Sequence, residues 1–191
     1  MSESSTAYGQ AKYQVRLDWG AAGAERILPG AHLAVVVDVL PSPDGDALSA
    51  ELAATLARPD LVVLAGSLRN RTAVARRILE LQEQRGERLM VAIIAAGHDA
   101  ADGSRFAIED QLGAGAVVDA LVALGIDHTS PEAAVACAAF EGLRHAATHL
   151  IGASGRAVEL VEQGRRPEVR FATEIDASTD VPVLRDGVFD A

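Results

Sequence analysis

Carboxylates and a histidine follow a short buried strand near the middle of this chain, and these residue types can bind a metal ion or move a proton. The apolar run from Leu89 to Ala96 is long enough for one buried strand and too short to span a membrane. Gly97 and His98 follow it directly, and the neighbours Glu109 and Asp110 lie one loop further on. Ligands of open α/β sheets bind at the carboxyl ends of strands. We therefore predict that any functional site lies at this loop.

Glu109 and Asp110 could bind Mg²⁺, which prefers one or two carboxylates supplemented by water and phosphate oxygens. A structural interpretation competes with this one, because acidic residues in the first turn of a helix interact favourably with the helix dipole. Adjacent helical residues also point about 100° apart, so both reach one ion only where the backbone is not yet regular. The pattern alone leaves both interpretations open.

Asp38 is a third candidate, because it lies within the apolar run AVVVDVL. A carboxylate near the end of a buried strand is costly unless it is paired, hydrogen-bonded or bound to a metal. We favour a functional role, and the alternative is a loop cap or an arginine pair. His98 could contact a substrate from its strand end, with a purely structural role as the alternative.

Other reactive residue types are better explained by packing. His145 and His149 have the i, i+4 spacing of a metal site, but no third ligand is evident, which favours a solvated or packed helix face. Cys137 lies among alanines and is interpreted as a small buried hydrophobic residue. The stretch GAGAVV from Gly113 lacks the third glycine of a dinucleotide fingerprint and follows no strand directly, so we reject that interpretation.

Strand and helix patterns alternate along the chain. The first predicted strand begins at Tyr13, is half-exposed and ends at Trp19-Gly20. The other predicted strands are Ala34–Leu40, Leu61–Ala65, Leu89–Ala96, Val169–Ala172 and Val181–Leu184. The first two predicted helices are Ala47–Ala57 and Thr72–Gln84, the second with Asn70 or Thr72 as cap and Gly86 as stop. A third helix follows Glu109, and a fourth runs from Ser130 to about His149. A short fifth helix is capped by Ser154 and ended by Gly164. Alternation with continuous apolar strands predicts a three-layer α/β/α sandwich over a largely parallel or mixed sheet.

Composition is typical of one soluble domain. The chain has 191 residues, 49% of them hydrophobic but only 4% aromatic. No linker or repeat divides it, so we predict a single domain over residues 13–191 after a disordered segment, residues 1–12. The single cysteine excludes an internal disulfide.

The net charge and the sequence of the chain start indicate which classes of partner and which location we expect. Seventeen basic against 27 acidic residues give a net charge of −10, which opposes nonspecific binding to nucleic acid and to anionic membranes. The start of the chain lacks the basic and apolar regions of a signal peptide, and no apolar run approaches the length of about 18 residues that suggests a membrane span. We expect a cytoplasmic protein that binds neither nucleic acid nor membrane.

Five collinear segments resemble a known family. They are VVVDVL from Val35, LAGSLRNRTAVA from Leu64, AAGHDAADGSRFAIEDQLGAGAVVDAL from Ala95, ASGRAVELVEQG from Ala153 and FATEIDASTDVPVLRDG from Phe171. These segments occur in the order seen in 2-phosphosulfolactate phosphatases, and the resemblance covers most of the chain from about Tyr13 onward.

The resemblance implies an α/β/α fold and a Mg²⁺-dependent phosphatase that acts on a small anionic phosphate ester. The best-known substrate of the family is 2-phospho-3-sulfolactate, which is hydrolysed to 3-sulfolactate and phosphate. By motif, the catalytic and Mg²⁺-binding carboxylates fall on Asp38, Glu109 and Asp110. By motif, the substrate-binding residues fall on Asn70, Ser154, Gly155 and Arg156. We add His98 to them because it follows the end of the strand.

The chain departs from the family pattern after its DVL segment. The family usually continues with an arginine and a Thr-rich stretch, and carries a longer middle region with a Thr-Thr-Asn-Gly-Thr type strand and loop. Here the segment Pro41–Asp46 and one short predicted helix precede the LAGS segment, so that region is missing. Such a loop would donate hydrogen bonds to a phosphate or sulfonate.

Two functions follow from these observations. The first is a Mg²⁺-dependent phosphoric monoester hydrolase whose substrate can differ from 2-phospho-3-sulfolactate. The second is a catalytically inactive family member that acts as a binding or assembly protein. Loss of a strand also exposes a sheet edge, and exposed edges favour association, so we predict a homo-oligomer.

Overall fold

A six-stranded mixed sheet lies at the centre of the protein. The computed structural model describes residues 7–40, 50–100, 103–185 and 187–190. The strands of this sheet are β1 (Val15–Trp19), β2 (Leu33–Val37), β3 (Val62–Gly66), β4 (Val91–Ala95), β7 (Val183–Arg185) and β8 (Val188–Asp190), in the order β1-β4-β2-β3-β7-β8. The first four in this order are parallel, and β7 and β8 are antiparallel to their neighbours. A small antiparallel hairpin, β5 (His98–Ala100) and β6 (Gly103–Arg105), stands apart from the sheet.

Helices cover both faces of the sheet. They are α1 (Gly20–Ile27), α2 (Ala50–Leu56), α3 (Arg71–Arg85), α4 (Ile108–Ala123), α5 (Pro131–Leu143), α6 (Ala147–Gly152), α7 (Gly155–Glu162) and α8 (Arg166–Ala172). Helices α1 and α2 pack on one face, and α3 to α8 contribute to the core on the other. The predicted three-layer α/β/α sandwich is therefore confirmed. Among the described residues, no helix is long and apolar enough to cross a membrane.

The inner strands β2, β3 and β4 are apolar throughout because both faces of the sheet are covered. In β2, Val35 and Val37 point into the larger core, whereas Ala34 and Val36 point into the core under α1 and α2. Every residue of β2 is buried. This pattern is expected of a parallel sheet between two helical layers. Since β1 to β4 are parallel, their carboxyl ends meet at one edge.

Helix α4 is buried on nearly all sides, and two glycines make this possible. A Cβ at Gly113 would lie 2.6 Å from Val39 Cγ2, so the absence of a side chain lets the helix approach the sheet. A Cβ at Gly115 would lie 2.1 Å from the carbonyl oxygen of Ala136, so the same helix also approaches α5 closely. The small residues at the start of α4 therefore serve close packing between layers.

Several predicted helix signals are confirmed. Ser130 and Ser154 each cap a helix, with the hydroxyl oxygen accepting from the backbone N–H three residues later at 3.2 Å. Asn70 occupies the N-cap position of α3 without a side-chain capping bond, and Gly86 ends that helix with a φ of 65°. The segment Pro41–Asp46 lies outside the described residues, and the predicted helix Ala47–Ala57 is described from Ala50 to Leu56.

Other predicted elements are wrong. The predicted strand Val169–Ala172 is the end of helix α8, whose buried residues Val169 and Ala172 have helical spacing behind Pro167 in the first turn. The predicted helix from Ser130 to His149 ends at Leu143, and a 3₁₀ turn, Arg144–Ala146, separates it from α6. The predicted loop after His98 contains the β5–β6 hairpin.

The outer edge of β1 is closed by the chain itself. The backbone of residues 128–130 pairs with one end of the strand, where Val15 N–H donates to the carbonyl oxygen of His128 and Ser130 N–H donates to that of Val15. Further along, the amide of Gln10 donates to the carbonyl oxygen of Leu17 at 2.8 Å and accepts from its N–H at 3.0 Å. Gln10 is buried, so the packed part of the chain begins before the predicted domain start at Tyr13.

Candidate active site

Asp110 connects the carboxyl ends of two strands. Its Oδ1 accepts from the N–H of Val39, just past β2, at 2.8 Å. Its Oδ2 accepts from the N–H of Gly97, just past β4, at 2.9 Å. Gly97 has a φ of 71°, a backbone conformation that favours glycine, and it turns the chain from β4 into β5. Asp110 therefore positions the segments that carry Asp38 and His98.

The carboxylate of Asp110 lies in an environment that disfavours its charge. The residue is 1% exposed, and burial raises the pKa of Asp110 well above its ordinary value. The charges of Asp38 and Glu109 raise this pKa further, whereas the two backbone hydrogen bonds lower it. Three carboxyl groups thus lie close to one another at the ends of β2 and β4, which favours the neutral form of Asp110.

Glu109 and His98 form a hydrogen-bonded pair. His98 Nε2 lies 2.8 Å from Glu109 Oε1. The glutamate side chain is 2% exposed and that of His98 is 31% exposed, so the carboxylate is enclosed while the ring reaches solvent. The hydrogen bond to Glu109 raises the pKa of His98 above its ordinary value of 6.5, against the opposing effect of burial. A buried carboxylate that orients a partly exposed imidazole is an arrangement suited to proton transfer.

Asp38 follows β2 directly and is exposed to solvent. Its charge acts on both Asp110 and His98, raising the pKa of each. The three predicted carboxylates therefore share one edge of the sheet, although their surroundings differ.

Asn70 lies at the same edge but is fully engaged with the backbone around it. Its Nδ2 donates to the carbonyl oxygens of Ala65 and Asp180, both at 3.0 Å. Its Oδ1 accepts from the N–H of Ser67 at 2.9 Å and from the Ser67 hydroxyl at 3.1 Å. The residue holds the loop after β3 against the segment that leads into β7.

Ser154, Gly155 and Arg156 lie at the start of α7. Ser154 is the cap, and Gly155 is the first residue of the helix. The Arg156 side chain is 5% exposed, and its Nη1 donates to Glu159 Oε2 at 3.0 Å. Its positive charge lowers the pKa of His98. A guanidinium is a residue type that binds anions, so Arg156 stays the predicted anion-binding residue of this region.

The carboxylates differ in their suitability for a metal ion. In the part of the chain that the structure describes, no three His, Cys, Asp or Glu side chains are grouped as a metal site. Both oxygens of Asp110 accept backbone hydrogen bonds, and one oxygen of Glu109 faces His98. The exposed carboxylate of Asp38 fits Mg²⁺, which can bind through one carboxylate, water and substrate phosphate. The predicted shared metal site of Asp38, Glu109 and Asp110 stays a prediction.

Two aromatic residues, absent from the predicted site, lie at the same edge of the sheet. Trp19 ends β1 at the carboxyl edge, and Phe106 lies three residues before Glu109. Their ring centroids are 5.0 Å apart, and the ring planes are tilted by 42°. The sequence signal for this pair is weak, because a tryptophan at a strand end and a phenylalanine before a helix are both common in cores.

Comparison with known protein families shows the family to which this chain belongs. A sequence model described as 2-phosphosulpholactate phosphatase matches residues 50–187. The chain belongs to the 2-phosphosulpholactate phosphatase family. The matched range includes His98, Glu109, Asp110 and Arg156, whereas Asp38 and the first two strands precede it. The resemblance found in the sequence is confirmed, and a phosphatase of this family is the general function that it supports.

Proposed function

We propose that this family member is a Mg²⁺-dependent phosphoric monoester hydrolase that acts on a small anionic phosphate ester, 2-phospho-3-sulfolactate or a related compound. The observation that carries the proposal is the His98–Glu109 pair, at 2.8 Å, on which the positive charge of Arg156 acts. A proton donor and a positive charge support phosphate ester hydrolysis, because the leaving oxygen takes up a proton and the negative charge of the phosphate needs stabilisation.

His98 supplies the proton for the leaving group in this proposal. Its Nε2 faces Glu109, so protonated His98 donates Nε2–H to the carboxylate and presents Nδ1–H to the substrate. Water attacks phosphorus, the bond from phosphorus to the ester oxygen breaks, and that oxygen takes the proton from Nδ1 and leaves as the alcohol. The protons of the attacking water leave on the phosphate product, and one of them returns to Nδ1 to restore protonated His98. Glu109 keeps the ring oriented and stabilises its charged form.

Arg156 and Asp38 supply charge of opposite sign. Arg156 offers a guanidinium to the phosphate oxygens, which a chain with a net charge of −10 would otherwise repel. Asp38 is the carboxylate that would hold Mg²⁺. When bound, the ion supplies positive charge that polarises the phosphoryl oxygens. Asp110 and Asn70 keep the loops around this site in place.

Turnover of a generic phosphate ester, with Mg²⁺ or with EDTA, tests the proposal. We expect hydrolysis that EDTA abolishes, and a fall of about 10²- to 10⁴-fold in His98→Asn, the usual contribution of a general acid. His145→Asn is the matched control, because His145 is exposed in the 3₁₀ turn. Mg²⁺ should also raise thermal stability, by about 2.7 kcal/mol at 100 times its Kd, and Asp38→Asn should remove this increment.

Absence of turnover with Mg²⁺, in protein that is folded by circular dichroism, would contradict the hydrolase proposal. The alternative of a noncatalytic binding or assembly protein would then be favoured. Equal turnover by wild type and His98→Asn would retain the hydrolase but remove the assigned proton donor.

A further inference from the structure

The carboxyl group of Asp110 bridges two backbone N–H groups at the ends of β2 and β4. These groups belong to Val39 and Gly97, and they donate to Asp110 at 2.8 and 2.9 Å. Two N–H donors cannot pair with each other, so a side chain with two acceptor oxygens is needed to join them. Asp38 directly precedes Val39, and His98 directly follows Gly97. The bridge therefore fixes the separation of the segments that carry Asp38 and His98.

Helix α4 gives Asp110 a rigid support. The residue lies in the first turn of α4, where an acidic side chain commonly interacts with its own helix. Here its two partners are instead 71 and 13 residues away in sequence. The same helix approaches the sheet closely at Gly113 and α5 closely at Gly115. A side chain on such an element holds its partners more precisely than a side chain on a loop.

Burial separates Asp110 from a metal ion. Asp110 is 1% exposed, whereas Asp38 is exposed to solvent. Mg²⁺ usually keeps several water molecules in its octahedral shell, and these need room that an enclosed carboxyl group does not provide. Of these two aspartates, Asp38 is therefore the one that can meet a hydrated ion without rearrangement of the fold.

We propose that Asp110 is a positioning residue, which sets the separation of Asp38 and His98 and does not bind the metal. The inference rests on the proposed function, in which Asp38 holds Mg²⁺ and His98 gives the leaving group its proton. A side-chain amide at this position offers one acceptor oxygen and turns an NH₂ donor toward the second backbone N–H. Asp110→Asn therefore releases one of the two strand ends.

Titration of the wild-type protein with Mg²⁺, followed by carbon-13 NMR of the side-chain carboxyl groups, tests whether Asp110 binds the metal. We expect the carboxyl signal of Asp38 to move and that of Asp110 to keep its position. The variants Asp38→Asn and Asp110→Asn assign the two signals. An Asp110 signal that moves as far as the Asp38 signal would make Asp110 a metal ligand and overturn the proposal.

The imidazole resonances of His98, recorded in EDTA at one pH, test the positioning role without metal or substrate. Asp110→Asn should shift these resonances, because release of a strand end moves the ring. Asp119→Asn is the matched control in the same helix, because the carboxylate of Asp119 pairs with Arg71 and Arg144 and with neither strand end. His98 resonances that are the same in wild type and in folded Asp110→Asn would overturn the proposal.

Amide hydrogen exchange of the wild-type protein tests the bridge even if Asp110→Asn does not fold. The N–H groups of Val39 and Gly97 lie just past the ends of their strands, yet both donate to Asp110. We therefore expect both amide protons to exchange slowly with solvent. Rapid exchange of either proton would contradict the bridge.

Steady-state kinetics with a generic phosphate ester separate this inference from the proposed function. Asp110→Asn should lower kcat about 10²-fold, the usual effect of misplacing a catalytic group by about 1 Å, and should leave KM within about threefold. Asp119→Asn should keep both wild-type values. A raised KM with an unchanged kcat in Asp110→Asn would overturn the positioning role and leave the hydrolase intact. Absence of turnover in the wild type would overturn the hydrolase, whereas shifted His98 resonances in Asp110→Asn would still support the bridge.

Discussion

Glu109 and Asp110 are neighbours, yet the protein uses their carboxylates differently. Glu109 faces a titratable ring, whereas both oxygens of Asp110 accept from the backbone N–H groups of Val39 and Gly97. The roughly 100° between successive helical residues explains this division, because two adjacent side chains cannot point at the same partner. Glu109 therefore orients a histidine that can exchange a proton, whereas Asp110 holds the backbone around the site in place.

The pairing of His98 with Glu109 leads to a prediction about pH. Glu109→Gln removes the charge that favours protonated His98, so the pKa of His98 should fall in this variant. In the wild type the folded-state pKa is raised, so the stability from this pair is present below the unfolded value of about 6.5 and is lost as pH rises through the folded value.

Proton NMR of the imidazole resonances against pH measures this change. His145 lies outside the site, and its resonances serve as the internal reference. A His98 titration that is the same in wild type and Glu109→Gln would show that the hydrogen bond does not form in solution.

At the scale of elements, the crossing of α4 and α5 depends on Gly115. Gly115→Ala places a Cβ 2.1 Å from the Ala136 carbonyl oxygen, so the helices must move apart, and we expect a loss of about 1–3 kcal/mol in the free energy of unfolding. Gly142→Ala is the matched control, because that position in α5 has open space around it and alanine favours a helix by up to about 1 kcal/mol.

Urea denaturation of both glycine variants compares these effects. Both variants replace a helical glycine with alanine, so opposite changes in the free energy of unfolding can be assigned to the close contact between α4 and α5. A Gly115→Ala variant as stable as the wild type would show that α4 and α5 do not approach closely.

The elements also show which features could be predicted from the sequence. Helix caps at Ser130 and Ser154 and the buried strands were predictable, because each depends on local residue types. The turn after Leu143 was not, since the buried positions on either side, Phe140, Ala147 and Ile151, keep a helical spacing across it. Residues 166–172 show the converse: a short apolar run suggested a strand, although Pro167 marked a helix start.

The candidate site also has some features that could be predicted from the sequence and others that could not. Strand-end carboxylates were predictable from the apolar runs before them, because the carboxyl ends of parallel strands converge. The partners of Glu109, Asp110 and Asn70 depend on the register of separate strands and on segments distant in sequence. Such partners carry no local signal.

For the whole molecule we predict a homo-oligomer. The outer face of α5 exposes small and apolar residues, among them Ala134, Val135 and Ala138, with Val135 66% exposed. Small side chains permit close packing between subunits, so light scattering should give a mass above 19.9 kDa for the wild type. Val135→Lys should restore a mass near 19.9 kDa.

Val158→Lys is the control for this prediction, because Val158 is 47% exposed on α7 and should not affect association. A wild-type mass of 19.9 kDa at every concentration would exclude the oligomer. Release by Val158→Lys instead of Val135→Lys would move the interface from α5 to α7.

The side-chain amide of Gln10 has a consequence for how the protein can be shortened. By pairing with the N–H and carbonyl of Leu17, it takes the place of a neighbouring strand along part of β1. Trimming the chain to start at Tyr13, where the sequence pattern begins, would delete this substitute and leave two backbone groups unmatched. The shortened protein would then expose part of the edge of β1, where the strand of another copy could pair in a cross-β arrangement. Removal of the N-terminal residues would therefore make the protein more prone to form fibrils.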